Sequence, residues 1–496
     1  MAARSSRFRQ GQVGRNDPAV AAANHLATAE RFAGTDPRRA ANQRAAARLV
    51  AADAALLDAP ALRRWRAELQ TWVQFVPYLV DDATETRLTS VSREVIRVAL
   101  ADLATLEDSQ ATALGPAEFG VTLLEAADPA ERSGADAVIT TVTDRRASMM
   151  CDVLERLTAA HASDDRTRGI TNWRLRFAFS QGTTVETLDR LLGAVAERTE
   201  TAQAWYTCRS GLVGSTYADR RAGPAVPVST LADDAVLVAD SFGAAVPGLR
   251  AEAARAAARI RPGGANEVVI EADGRMSVSV VHRPTARGRL MVAHELGHAL
   301  HALRARSQTA PGALVGETMA CFTALVSGLS MTRSATGTHR PAALAVGDMI
   351  IEELFVSALV CRFEDEIQRV VRRGDSLTVA HLGDAWLQLH GQLFEPAIDV
   401  PTLVRTHWAR LPSLAMHPGH AVSYVWATVL GLAVQARLTA GSTAGDLMAS
   451  AMQRGAMSAD ELPRMLGFED DSWIDAGLDA LDVVMAGASH QVDHER

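Results

Sequence analysis

Apolar residues along this chain recur at three- and four-residue steps, the spacing of one face of an α-helix. From about residue 20 to 210 the text is alanine-rich with few breakers, and stretches such as 88–100 and 185–192 carry the helical repeat. The run 220–227, with Gly223, Pro224 and Pro227, interrupts it. Ser229-Thr230 then opens a further helix, with Asp233 at the capping-box distance from Thr230. Period-two alternation is scarce. It is concentrated in 267–270 and 276–281, and Asp273-Gly274 between them predicts a hairpin turn. Residues 1–18 are polar and arginine-bearing and predict a disordered tail. The pattern therefore predicts a mostly α protein with a tail over 1–18, a helical domain over 19–210 and a second domain over 211–490. There is no solenoid-length repeat and no heptad run.

Composition narrows this picture only a little. A chain of 496 residues can bury large cores. A net charge of −8 gives no pointer to nucleic acid or to a membrane surface. All 50 basic residues are arginine, which reads as coding bias rather than a device for anion binding. Cys151, Cys208, Cys321 and Cys361 are widely spaced and show no paired-cysteine motif, as expected of free thiols in a reducing compartment. No stretch is read as long and apolar enough to span a bilayer, and the N-terminus lacks a signal-like apolar core. The expectation is a cytoplasmic monomer or homodimer with no nucleic-acid or membrane partner.

The chemistry is concentrated in His294-Glu295-Leu296-Gly297-His298. Two histidines four apart on a helix point to the same side, so two imidazole nitrogens can bind one zinc ion. Glu295 can then reach a water at that metal. Val292, Leu296, Ala299 and Leu300, with Met291 and Leu303, supply the apolar positions of a buried helix. Glu317, nineteen residues after His298, is the candidate third ligand. Pro311-Gly312 marks a turn, and a helix starting near Leu314 can return antiparallel and bring Glu317 to the histidine pair. Gly316, Ala320 and Ala324 around it are small, as a tight helix contact requires. His301 falls on a similar stripe, and His339, His381, His390 and His407 show no ligand spacing.

The order of these features resembles the oligoendopeptidase F branch of the M3 metallopeptidases. Residues 228–242 are similar to the helix ahead of that family's catalytic core. Gly263-Gly264-Ala265-Asn266 and the hairpin stand where the family has a substrate-contacting strand. Residues 291–301 match its metal helix almost residue for residue, and Glu317 falls on its glutamate ligand. Later stretches, 354–367, 408–412, 458–467 and 475–479, are similar to its later helices and C-terminal end. The resemblance covers about residues 175–485.

The resemblance implies a two-lobed helical zincin (gluzincin) fold with a small β-hairpin or sheet beside the metal helix and a deep substrate channel. It implies one zinc per chain, on His294, His298 and Glu317, and hydrolysis of short unstructured oligopeptides. In that chemistry Glu295 is the proton acceptor and donor. Gly264, Ala265, Val278 and His282 are the expected substrate contacts, with the 276–281 strand offering a free edge to an extended peptide.

Three positions depart from the family. The gap from His298 to Glu317 is shorter. Ala324 stands where a second acid is usual, and Ser413 stands where a histidine is usual. His417, His420 and Tyr424 are the replacements available as oxyanion donors, and the sequence does not choose among them. Two other readings fit the same departures: a relative that binds peptides without cutting them, and a dedicated peptidase for one precursor or leader peptide.

Overall fold

The computed structural model describes residues 18–493 except 30–36, 66–68, 70–72, 82, 86, 89–93, 96, 100, 103–127, 224–225, 227–228, 264–265, 271–275, 306–311, 334–338 and 455–456. Contacts divide the chain into two compact units, Met1–Thr89 and Ser90–Arg496. Among the described residues the first unit holds α1 (Pro18–Ala29) and α2 (Pro37–Ala52), followed by short 3-10 turns. Its small core is Ala22, Leu26, Ala46, Val50, Leu62 and Leu69. Pro18, placed by the sequence in the tail, opens α1; the rest of the expected tail lies outside the described residues.

The second unit is built on long helices. In order these are α3 (Pro129–Arg168), α4 (Leu175–Gln181), α5 (Val185–Ala196), α6 (Thr199–Val213), α7 (Leu231–Ala245) and α8 (Arg250–Ala257). After three strands come α9 (Ala286–Ala305), α10 (Ala313–Thr332), α11 (His339–Ile350), a π-helical turn (Ile351–Val356), α12 (Ser357–Arg373) and α13 (Val379–Phe394). The last long helices are α14 (Val422–Thr439), α15 (Ala444–Arg454) and α16 (Ser472–Asp493). The expected capping box at α7 is present: Asp233 N–H donates to Thr230 Oγ1, and Thr230 N–H donates to Asp233 Oδ2.

A break near 210 does not separate cores. Leu154, Leu188 and Trp205 share one continuous core with Phe242, Leu296, Phe322, Trp426 and Leu481. Buried ion pairs reinforce this continuity. Arg209 of α6 reaches Asp348 of α11 at 2.9 Å, and Arg132 of α3 reaches Asp219 at 2.6 Å. Residues before and after the 220–227 stretch thus belong to one unit, and the contact division falls at 89/90.

The strands are β1 (Ile260–Pro262), β2 (Glu267–Ile270) and β3 (Met276–Val280), in the order β1-β3-β2. The β2–β3 hairpin is antiparallel as expected, with its turn outside the described residues. β1 adds in parallel on the other side, with Ile260 opposite Val278. β3 is therefore the central strand, and the free edge expected of 276–281 is absent. Val278 is paired on both sides and its side chain is 1% exposed, so it has nothing to offer a peptide. Sheet edges are set by tertiary pairing, and a three-residue strand ending in proline gives little advance signal.

One sequence expectation about membranes also needs correction. α10 is long and apolar enough to cross a membrane by length and composition, yet it is mostly buried inside the fold. It is a core helix, and it carries Glu317.

Candidate metal centre and active site

α9 is buried along one side by Val292, Ala293, Leu296, Ala299 and Leu300, while Met291 is 37% exposed. The i, i+4 spacing puts the His294 and His298 rings one above the other, with centroids 4.9 Å apart and planes at 79°. α10 runs antiparallel against α9: Leu290 meets Gly328 at one end of the contact and Gly297 meets Ala320 further along. The approach is close because residue 297 has no side chain. A Cβ there would stand 2.6 Å from Ala320 Cα and 2.6 Å from Met319 O. The tight helix contact read from the small residues of α10 is thus present, and Gly297 supplies the other half of it.

That contact brings Glu317 to the histidines. His294 Nε2 lies 3.3 Å and His298 Nε2 3.8 Å from Glu317 Oε2. The 3.3 Å approach is close enough for strong electrostatic coupling, but it is not aligned as a hydrogen bond. Glu317 Oε2 is buried with no hydrogen-bond partner among the described residues. Donors at about 2.0–2.2 Å from one tetrahedral zinc stand roughly 3.4 Å apart, so this spacing and the orphaned oxygen fit a shared metal ion. Burial resists protonation of His294, but the Glu317 carboxylate outweighs it and holds its pKa near 9. Burial and the neighbouring His294 push His298 down to about 4. Burial raises Glu317, yet the facing imidazoles, His294 first, hold it below the usual carboxylate range. A carboxylate beside two imidazoles is the donor set that zinc takes. Glu295 is 4% exposed on the same turn.

Two residues that the sequence reading passed over complete the surroundings. Cys321, one turn beyond Glu317, places its sulfur within 4.8 Å of ligand atoms of His294 and Glu317. Glu353, from the π-helical turn, acts electrostatically on Cys321 and accepts from Thr428 Oγ1 of α14 at 3.4 Å. Burial holds the Glu353 carboxyl above its ordinary range. Its neighbour Glu352 turns to Arg221 and Arg287, which, against burial, hold it down near 2. An acidic residue therefore does stand behind the metal donors, supplied from another element than position 324. The available signal was Glu352-Glu353 inside an otherwise apolar run, because buried acids need a reason to be there. π-helical turns often mark functional sites.

The 417–424 segment closes the site. His420 N–H donates to His417 O at 3.0 Å, making a turn with Pro418-Gly419 at its centre. Gly419 has φ +84, and a Cβ there would stand 3.1 Å from Phe177 Cγ. Gly419 N–H donates to Glu364 Oε1 of α12 at 3.0 Å. Burial pushes the Glu364 carboxyl up to about 8.

His420 and Tyr424 stack edge to face with centroids 5.6 Å apart, and Glu317 acts electrostatically on both. His417 lies one ring further out, 6.1 Å from His420. Burial lowers the pKa of His420, and burial followed by nearby Glu317 raises that of Tyr424. Both stay as neutral N–H or O–H donors.

The remaining candidates divide. Gly264 and Ala265 lie outside the described residues. His282 Nε2 is 2.9 Å from Asp234 Oδ2 of α7, which also holds Arg289, so this nitrogen faces the protein. His390 and His407 are buried away from the metal donors, His390 against Trp386 and His407 against Thr140. The four cysteines are free.

No family model and no curated protein matches the sequence. Solved structures do match the fold. A Chlamydophila abortus protein described as a peptidase aligns with a TM-score of 0.72 at 14% identity, over 95% of this chain and 88% of that one. Oligoendopeptidase F from Enterococcus faecium aligns with a TM-score of 0.67 at 12% identity, over 96% and 91%. PZ peptidase A with an inhibitor aligns with a TM-score of 0.70 at 12% identity, over 99% and 100%. The mostly helical architecture with its small sheet beside α9 is therefore the fold of the oligoendopeptidase F structures.

Proposed function

We propose that this chain is a zinc-dependent endopeptidase for short, unstructured oligopeptides. The observation that carries the reading is the convergence of His294 Nε2 and His298 Nε2 on the buried, unpartnered Glu317 Oε2. Glu295 stands on the same helical turn as the histidines. The shared fold with peptidase structures supports it.

His294, His298 and Glu317 would hold the ion. Cys321 stands close enough to compete for a position. A bound zinc supplies Lewis acidity toward a carbonyl and lowers the pKa of water. Glu295 takes the proton of the attacking water and returns it to the departing amine. His420 and Tyr424 donate hydrogen bonds to the oxygen on which charge develops, with His417 one ring behind them. Burial selects the substrate: His294 and Glu295 are 9% and 4% exposed, so an extended chain can reach them and a folded surface cannot. Unfolding a stable domain to reach them would cost about 5–15 kcal/mol.

The test is metal analysis of the purified protein combined with mass spectrometry of products from a mixed peptide pool, with and without a chelator. About one zinc per chain and chelator-sensitive internal cleavage are expected. A protein with no zinc, or cleavage indifferent to the chelator, would overturn the proposal.

A further inference from the structure

A cavity of about 390 Å3 opens beside the 417–420 turn, and apart from His417 and His420 the chemistry above leaves its walls unused. His420 and Ala313 belong to its lining, and Ala313 stands one turn before Glu317 on α10, so the cavity lies at the end of the helix that carries Glu317. Asp165, Trp173, Arg176, Phe177 and Arg372 form the rest of the wall that matters here.

The arrangement of charge is specific. The Asp165 side chain is 1% exposed and accepts from both Arg176 Nε and Arg372 Nη2. Asp164 takes Arg176 Nη2 at 2.6 Å, and Gln368 Oε1 takes Arg372 Nε at 3.0 Å. Both guanidinium groups are thereby fixed from behind. Each keeps its Nη1 without a hydrogen-bond partner among the described residues. The arginine side chains are 31% and 19% exposed, whereas the acid between them is covered.

Asp164 also holds Arg168 at 2.9 Å, so the cluster behind the lining has three arginines against two aspartates, a surplus of one positive charge. Two aromatic rings flank it. Trp173 is pinned by its indole N–H on Asp365 Oδ1 at 2.9 Å, and Phe177 packs against Gly419. A planar monoanion matches one surplus charge and free guanidinium N–H groups better than a phosphate dianion does.

We propose that this cavity is a recognition subsite for a peptide carboxylate, which Arg176 and Arg372 bind between the Trp173 and Phe177 rings. The proposal rests on the peptidase reading and narrows its substrates to peptides with a carboxylate at a fixed distance from the scissile bond. The carboxylate has two sources, the C-terminus or an Asp or Glu side chain.

The test uses the zinc-loaded Glu295→Gln protein for binding and the zinc-loaded wild-type protein for cleavage. Probes are N-acetylated alanine–phenylalanine peptides of four to eight residues, each as free acid and as C-terminal amide. A second set of amides carries Glu or Gln at each position in turn. Loss of charge-assisted hydrogen bonds predicts that removing the recognised carboxylate weakens binding roughly 10- to 100-fold in calorimetry. Arg176→Gln and Arg372→Gln should each shrink that discrimination to a few-fold. One arginine remains on Asp165 in either variant, and thermal melts check that both fold.

If the C-terminus is the source, cleavage falls a constant number of residues from the free acid at every length. If a side chain is the source, the cut follows the Glu through the second set. Wild-type cleavage of acids, amides, Glu and Gln peptides at equal rates, with equal affinities, overturns the subsite and leaves the peptidase reading standing. Failure to bind or cleave any peptide overturns both.

Discussion

The α9–α10 pair and the 413–428 segment face the same site, but they are held in place by different means. On the helix pair, the donors sit on backbone fixed by regular hydrogen bonding and by a contact too close for any side chain at Gly297. On the other side, His420 sits at the end of a turn whose geometry depends on a positive φ at Gly419 and one hydrogen bond to buried Glu364. The metal donors are therefore set by helical periodicity. Of the candidate oxyanion donors, His420 is set by a turn that contacts α4 and α12, and Tyr424 stands on the first turn of α14. Rigid helices suit a site that must hold three atoms at fixed spacing. A turn suits a group that must meet a substrate.

The comparison can be broken from either side. Apart from removal of Glu295 or of a metal ligand, the largest effect belongs to the turn side. Tyr424→Phe or His420→Ala should lower kcat about 10²–10³-fold with little change in KM or zinc content, because the lost hydrogen bond strengthens in the transition state. Steady-state kinetics with a quenched-fluorescent peptide would read this. If both variants kept kcat within a few-fold of the parent, the donor would have to be sought elsewhere, His417 first.

On the helix side, Gly297→Val should force α9 and α10 apart at Ala320. The expected cost is about 3 kcal/mol of stability, together with weaker zinc retention. Thermal melts with metal analysis measure both, and an unchanged Tm would contradict the close contact.

The smallest effect concerns Glu364. Burial lifts its carboxyl from 4.5 to about 8 in the folded protein. A folded-state pKa above the unfolded one means that its stabilising contribution is intact below about 4.5 and is lost as pH rises toward about 8. Glu364→Gln keeps an oxygen for Gly419 N–H and cannot ionise. The variant should gain on wild type by about 1 kcal/mol per pH unit between pH 6 and 8. Parallel pH–melting curves of the two proteins would contradict this.

The same contrast explains what was legible in the chain. His294, Glu295 and His298 were readable because a helix converts sequence spacing directly into direction. Glu317 followed from one turn and a run of small residues, and the capping box at Thr230 and the 267–280 hairpin followed from local chemistry. The Glu352-Glu353 pair marks a buried acid, but nothing local places it, or Cys321, beside the histidine pair, because the packing of the π-helical turn is tertiary. β1 escaped because three residues carry no period, and with it went the correct edge of the sheet. The arginine pair of the cavity comes from helices almost two hundred residues apart, Arg176 and Arg372 meeting only at Asp165. The compact units also turned on tertiary packing: the 220–227 interruption looks like a boundary in sequence, yet side chains before and after it share one core.

The most direct test is the pair Glu295→Gln and His298→Ala, each assayed for zinc content and for peptide turnover. Glu295→Gln removes a proton acceptor and no ligand, so it should fold, keep about one zinc and lose roughly 10²–10⁴-fold in kcat. His298→Ala should lose both metal and activity. A Glu295→Gln protein turning over near the wild-type rate, or a His298→Ala protein that keeps its zinc, would contradict the account.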